Sequence, residues 1–146
     1  MVQIMLLATT MLDAQRRPSR LVMQAREQCF SSGRLRPEQR RHVDRHEFPD
    51  RPDVRSYVHC FWTRLHLWQD AHGFNVQAIV YMFGGPEHVN VEQAVPAING
   101  CNASARSNRT VASPQKWCYE AFVCVLRTPV GVWYRRYMSD VLNGNA

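Results

Sequence analysis

Five cysteines, at positions 29, 60, 101, 118 and 124, constrain this chain more than any other feature. Thirty residues lie between Cys29 and Cys60, forty between Cys60 and Cys101, and twenty-two between Cys101 and Cys124. That spacing places about one cysteine on the inner face of each of several short predicted helices. Short helices bury little surface individually, so a fold built from them gains from covalent staples, which belong to oxidising compartments. Closing a loop of about thirty residues restricts the unfolded chain by roughly 3–4 kcal/mol.

The helices are read from caps and periodicity. Ser19 caps a helix from Arg20 to about Ser31, with Leu21, Val22, Ala25 and Cys29 on one face and Gly33 as its stop. Pro37 opens a short polar helix, Glu38 to His46, whose only large apolar residue is Val43. Phe48 to Asp53 reads as a linker stiffened by two prolines, and Asp53 as the cap of the next helix. There Tyr57, Val58, Phe61, Trp62, Leu65 and Trp68 form the strongest helical stripe in the chain. Asp70 to Gly73 turns, and Asn75 caps a helix carrying Val76, Ile79, Val80 and Phe83 that ends at Gly84-Gly85-Pro86. Asn90 to Ile98 is a weaker helix, and Asn99 to Ser113, which has no apolar run, is expected to be a surface loop. Ser113-Pro114 and Thr128-Pro129 each give a cap-then-proline start. The first leads a helix with Trp117, Cys118, Ala121, Phe122, Cys124 and Val125. The second leads a stripe of Val130, Trp133, Tyr134, Tyr137, Met138, Val141 and Leu142. No strand alternation is evident, so the expectation is an all-α domain of six or seven short helices of unequal length.

A chain of 146 residues is one domain's worth, and 45% hydrophobic against 21% charged residues is an ordinary globular mix. No run reaches the eighteen apolar residues of a membrane-spanning helix. Residues 1–14, with an apolar run from Val2 to Leu12, read as a signal peptide, the other reading being a first turn packed on the core; the domain is then 15–146. Two sequons, at Asn102 and Asn108, sit in the expected polar loop as candidate glycosylation sites. Seventeen of the 18 basic residues are arginines and the formal net charge is +6. Such a bias reflects either genome composition or a site that clamps planar anions. Residues 16–55 hold eleven arginines against six acids, which leaves open a basic face for polyanions or microbial surfaces.

The cysteine pattern resembles the insect odorant-binding protein superfamily. Its usual six-cysteine framework has three residues between the second and third and eight between the fifth and sixth. Here Ser56 stands at the second-cysteine position before Cys60, and Gln115 at the fifth before Cys124. These two positions pair in the family, so their joint loss matches its four-cysteine branch. The resemblance implies bridges Cys29–Cys60 and Cys101–Cys124 and leaves Cys118 free. Ser56-Tyr-Val-His-Cys60, Thr63-Arg64, Leu67-Trp68, Phe74-Asn75-Val76 and Tyr119-Glu-Ala-Phe-Val123 are also similar to the amino-terminal domain of the long salivary odorant-binding-like proteins of mosquitoes, the D-seven family. The likeness spans about residues 20–137. Arg40, Arg41 and His42 depart from it where tryptophans are expected. It implies a secreted carrier or scavenger of small hydrophobic or amphipathic molecules: odorants, or in saliva host lipid mediators, nucleotides or biogenic amines.

No nucleophile elbow, phosphate-binding loop or dinucleotide fingerprint is present, so no enzyme is indicated. His42 and His46 are one helical turn apart but lack a third ligand, and no metal or cofactor is expected. His59 and His66 lie mostly off the apolar stripe and are candidates for pH sensing, though nothing in the sequence singles them out. The surplus of rings supplies a candidate cavity wall: Tyr57, Phe61, Trp62, Leu65, Trp68, Phe83 and Phe122, with Trp133, Tyr134 and Tyr137 preferred. Arg135 and Arg136 either anchor an anionic head group or face solvent. The expected partner is a small ligand bound by a monomer, without nucleic acid.

Overall fold

A computed structural model describes residues 18–107 and 113–145. Helix α1, residues 18–32, buries Val22, Ala25, Cys29 and Phe30. The left-handed residue that ends it is Arg34 (φ 49°), not the expected Gly33, whose added Cβ would lie 3.1 Å from the Cys29 carbonyl oxygen. Helix α2, Pro37–Asp44, buries only Val43 and Gln39. Helix α3, Pro52–Arg64, starts at the second linker proline with Arg51 as its cap residue, so Asp53 lies inside the first turn instead of capping it.

The apolar stripe of α3 runs past the end of the helix. After Leu65, His66 takes φ 59°, and the chain enters a hairpin of β1, Trp68–Gln69, and β2, Gly73–Phe74, with Trp68 opposite Phe74. Trp68 is therefore buried from a strand. Its indole donates to Asp70 at 2.9 Å, and His59 of α3 meets the same carboxylate oxygen at 2.7 Å. Burial raises the Asp70 pKa, but these hydrogen bonds outweigh it and hold the carboxyl below its usual range.

Helix α4, Val76–Met82, is capped by Asn75, whose side chain accepts from Ala78 N. Helix α5, Val91–Ser107, corrects the expected loop at 99–113: it passes Pro96 in its second turn and continues to Ser107. Its inner face is Ala94, Ile98, Cys101 and Ala105, and three of these four are small. They let α6, Pro114–Leu126, approach closely, which is why no large apolar run marks the segment. Asn102 consequently lies on a helix. Its amide oxygen accepts from Phe74 N and its amide nitrogen donates to Phe74 O, both at 3.0 Å, holding β2 against α5. The amide of that candidate glycosylation site is thus committed to the fold. Asn108, like the expected signal segment 1–14, falls outside the described residues.

Helix α6 is capped by Ser113 and buries Trp117, Cys118, Tyr119, Ala121, Phe122, Val125 and Leu126 around most of its circumference. It is the axis of the fold, packed on α3, α5 and α7, Pro129–Leu142. Thr128 caps α7 by accepting from Val130 N. The Cys29–Cys60 bridge ties α1 to α3 (Cα–Cα 5.8 Å) and Cys101–Cys124 ties α5 to α6 (5.6 Å). Cys118 is a free, fully buried thiol whose pKa burial pushes well up, so it is an inert core residue.

Candidate ligand cavity

Helices α4, α5 and α7 do not close completely on one another. Between them lies a cavity of about 330 Å³. Ile79 and Phe83 wall it from α4 and its end, His88 and Val89 from the connection to α5, and Ala94 and Ile98 from α5. The remainder comes from α7: Val130, Trp133, Tyr134 and Tyr137, with Arg136 and Asp140 as its charged residues. The α7 positions follow from helical spacing. Residues 130, 133, 134 and 137 share one face, and 136 and 140 lie one turn apart beside it.

Rings fix the wall. Phe83 meets Tyr137 edge-on with centroids 4.7 Å apart, and Tyr134 packs against Phe122 at 5.3 Å and Trp62 at 6.0 Å. Burial raises the pKa of both tyrosines, so each hydroxyl stays a neutral donor. Behind this wall is a smaller apolar chamber of about 30 Å³, which shares Phe83 and Tyr134 with the cavity and is bounded on its other side by Trp62, Phe74, Phe122, Val125 and Leu126.

Of the side chains expected at a binding wall, the structure brings Phe83, Trp133, Tyr134, Arg136 and Tyr137 to the cavity, and Trp62 and Phe122 to the chamber behind it. The others are elsewhere. Tyr57 stacks on Phe30 at 4.7 Å, Phe61 packs between Tyr57 and Trp62, and Trp68 meets Trp117 at 4.8 Å. Leu65 lines a separate surface groove with Leu21 and Met82. Arg135 turns away and donates to the Leu126 carbonyl at 3.2 Å, serving the end of α6. Ile79, Val89, Ala94, Ile98 and Val130 carry no sequence signal that separates a cavity wall from ordinary core. His88 and Asp140 look like solvated polar residues.

Several of the arginines are engaged in ion pairs within the fold. Arg26, Arg40, Arg45, Arg51 and Arg55 pair with Asp44, Glu27, Glu47, Asp53 and Asp50 respectively. Arg26 is itself buried and lies over the Phe30 ring. The two histidines four residues apart part company: His42 of α2 contacts Glu47 at 2.7 Å, while His46, just past the end of α2, reaches Ser139 of α7 at 3.2 Å. Among the described residues no group of three His, Cys, Asp or Glu side chains is placed to hold a metal ion.

His46 makes an acid-sensitive joint between the turn after α2 and α7. Burial draws its pKa below the ordinary 6.5, the guanidiniums of Arg135 and Arg26 add to this, and Asp44 opposes it. The unfolded chain then binds the proton first as pH falls. Stability from this site is complete above about pH 6.5 and is lost progressively below it. Thermal midpoints of the parent protein and of His46→Gln between about pH 7 and 5 check this, and equal slopes would show that His46 contributes nothing to it. A shallower slope in the variant is the expected result.

A protein-family model described as the PBP/GOBP family matches residues 14–128. No curated protein sequence matches significantly. Among solved structures, Anopheles gambiae odorant-binding protein 22a is 25% identical with a TM-score of 0.63, over 80% of this chain and 95% of that one. A second structure of it, in the open status for ligand binding, is 26% identical with a TM-score of 0.63, over 80% and 98%. A third, with the odorant cyclohexanone bound, aligns at 24% identity and a TM-score of 0.59, over 84% and 95%.

Proposed function

The chain belongs to the PBP/GOBP family, and from that premise we propose that it is a non-enzymatic carrier of small hydrophobic or amphipathic molecules, which it holds in the cavity between α4, α5 and α7. The cavity itself carries this reading. Its volume of about 330 Å³ lies within the size range of small-ligand sites, which are mostly apolar walls with a few polar groups. Trp133, Tyr134, Tyr137 and Phe83 supply the apolar surface, and Arg136 and Asp140 the polar groups. One guanidinium offset by one carboxylate suits a compact polar head better than a nucleotide, whose phosphates call for several cations. Among the ligands of olfaction or saliva, odorants and lipid-like mediators therefore fit this wall best. Two disulfides agree with a protein that works outside the cell.

The test is titration of the oxidised protein with N-phenylnaphthylamine, followed by competition with cyclohexanone. Saturable binding near one to one, with quenching of tryptophan emission through Trp133, is expected. Replacing Tyr137 by alanine should weaken the probe by about tenfold or more, because a ring buried against a ligand contributes on the order of 1.5 kcal/mol or more. No saturable binding of any apolar probe would overturn the reading.

A further inference from the structure

We infer that the cavity and the apolar chamber behind it are one channel for an unbranched aliphatic chain, interrupted by the ring of Phe83. This rests on the cavity being the ligand site. Five residues border both spaces: Ile79, Phe83, Ile98, Val130 and Tyr134. Three of them are aliphatic, and Ile98 is buried to 1%. Tyr134 is held by rings on several sides, with Phe122 at 5.3 Å, Trp62 at 6.0 Å and His46 at 6.0 Å.

Of the two rings that border both spaces, Phe83 is held less. It is partly buried, its one ring contact among the described residues is Tyr137, and it follows the last residue of the seven-residue helix α4. Gly84 and Gly85 come next with φ of 113° and 77°, conformations open to glycine and rarely to other residues. Rotation of Phe83 thus breaks fewer ring contacts than rotation of Tyr134, and it joins the two spaces.

The chamber favours an occupant. Its exposed wall is apolar throughout, so it offers water no hydrogen bonds and stays dry. Its lining therefore lacks partner atoms on one side, and a methylene that enters gains contacts without displacing bound water. The neck between Ile79, Ile98 and Val130 admits a linear chain more readily than a ring. Arg136 and Asp140 belong to the cavity alone, so a polar head stays there while the tail runs inward toward Trp62 and Phe122.

The experiment is displacement of N-phenylnaphthylamine by straight-chain alcohols from hexanol to tetradecanol, with cyclohexanone alongside. Affinity should rise by about fourfold for each methylene that enters the chamber and then level off. The readout is the ratio of long-chain to short-chain affinity. Phe83→Leu should raise that ratio by opening the neck, and Phe83→Trp should lower it by filling the neck. Circular dichroism and thermal midpoints confirm that both variants fold, and their opposite signs separate gating from general loosening. If the probe and cyclohexanone bind while the ratio is the same in the parent and both variants, the channel is wrong and the carrier reading stands. If nothing binds, both fall.

Discussion

Replacing Cys101 and Cys124 together by alanine is expected to destabilise the protein by about 3.5 kcal/mol, and removing the Cys29–Cys60 pair as well should leave little or no folded protein at 25 °C. The bridges close intervals of 23 and 31 residues, and freeing either returns about 3.5 kcal/mol of chain entropy to the unfolded state. A domain of this size is stable by only about 5–15 kcal/mol, so losing both consumes much or all of that margin. Alanine is the informative replacement, because Cys29 and Cys101 are buried to 0% and 2% and a serine hydroxyl there would lack a partner. Urea unfolding of the oxidised parent and the two paired variants measures the effect. Coincident midpoints would show that helix packing alone sustains the fold. Loss of Cys101–Cys124 should also weaken ligand binding more than loss of Cys29–Cys60, since α5 contributes Ala94 and Ile98 to the cavity and α1 contributes nothing to it.

A single methyl group at Gly131 is expected to be nearly as damaging. Gly131 is buried in the first turn of α7, and a Cβ built on it would lie 2.0 Å from the Leu126 carbonyl oxygen and 2.6 Å from its carbon. That obstacle is backbone at the end of α6, so no side chain can rotate to relieve it. Gly131→Ala must pry α7 away from α6, at about 3 kcal/mol, near the upper end of ordinary overpacking. The midpoint of thermal unfolding should fall by roughly 10 °C. Because α7 carries Trp133, Tyr134 and Tyr137, probe binding should weaken in the protein that remains folded. Gly100→Ala is the control: nothing lies within 4 Å of its Cβ position, and alanine is the better helix former, so stability there should hold or rise. Equal effects at the two positions would argue against the tight α6–α7 corner.

Local signals identified most helices. Ser113-Pro114 and Thr128-Pro129 start α6 and α7 where cap chemistry places them, because a cap involves only neighbours in the chain. The errors fall where distant contacts decide. Trp68 continued the α3 stripe in sequence, yet a left-handed turn at His66 moved it into a hairpin pinned by Asp70 and Asn102. The stretch after Ile98 lacks large apolar residues, yet it is helical because small residues bring α5 onto α6. Arg135 looked equivalent to its neighbour Arg136, but the Leu126 carbonyl claims it and leaves Arg136 at the cavity.

From the residue order alone came the helical class, the positions of caps and stops, the family likeness with its implied pairing of cysteines, and a stock of rings larger than a small core requires. All of these rest on periodicity, spacing and neighbour chemistry, which are written along the chain. Tertiary structure alone decided which rings face empty space. Trp68 packs against Trp117 and Phe74, while Trp133 walls a hollow, though both read as apolar aromatics on a stripe. A cavity is a place where α4, α5 and α7 fail to meet, and that gap is set by crossing angles and side-chain volumes on separate segments, none of which any one stretch of sequence contains.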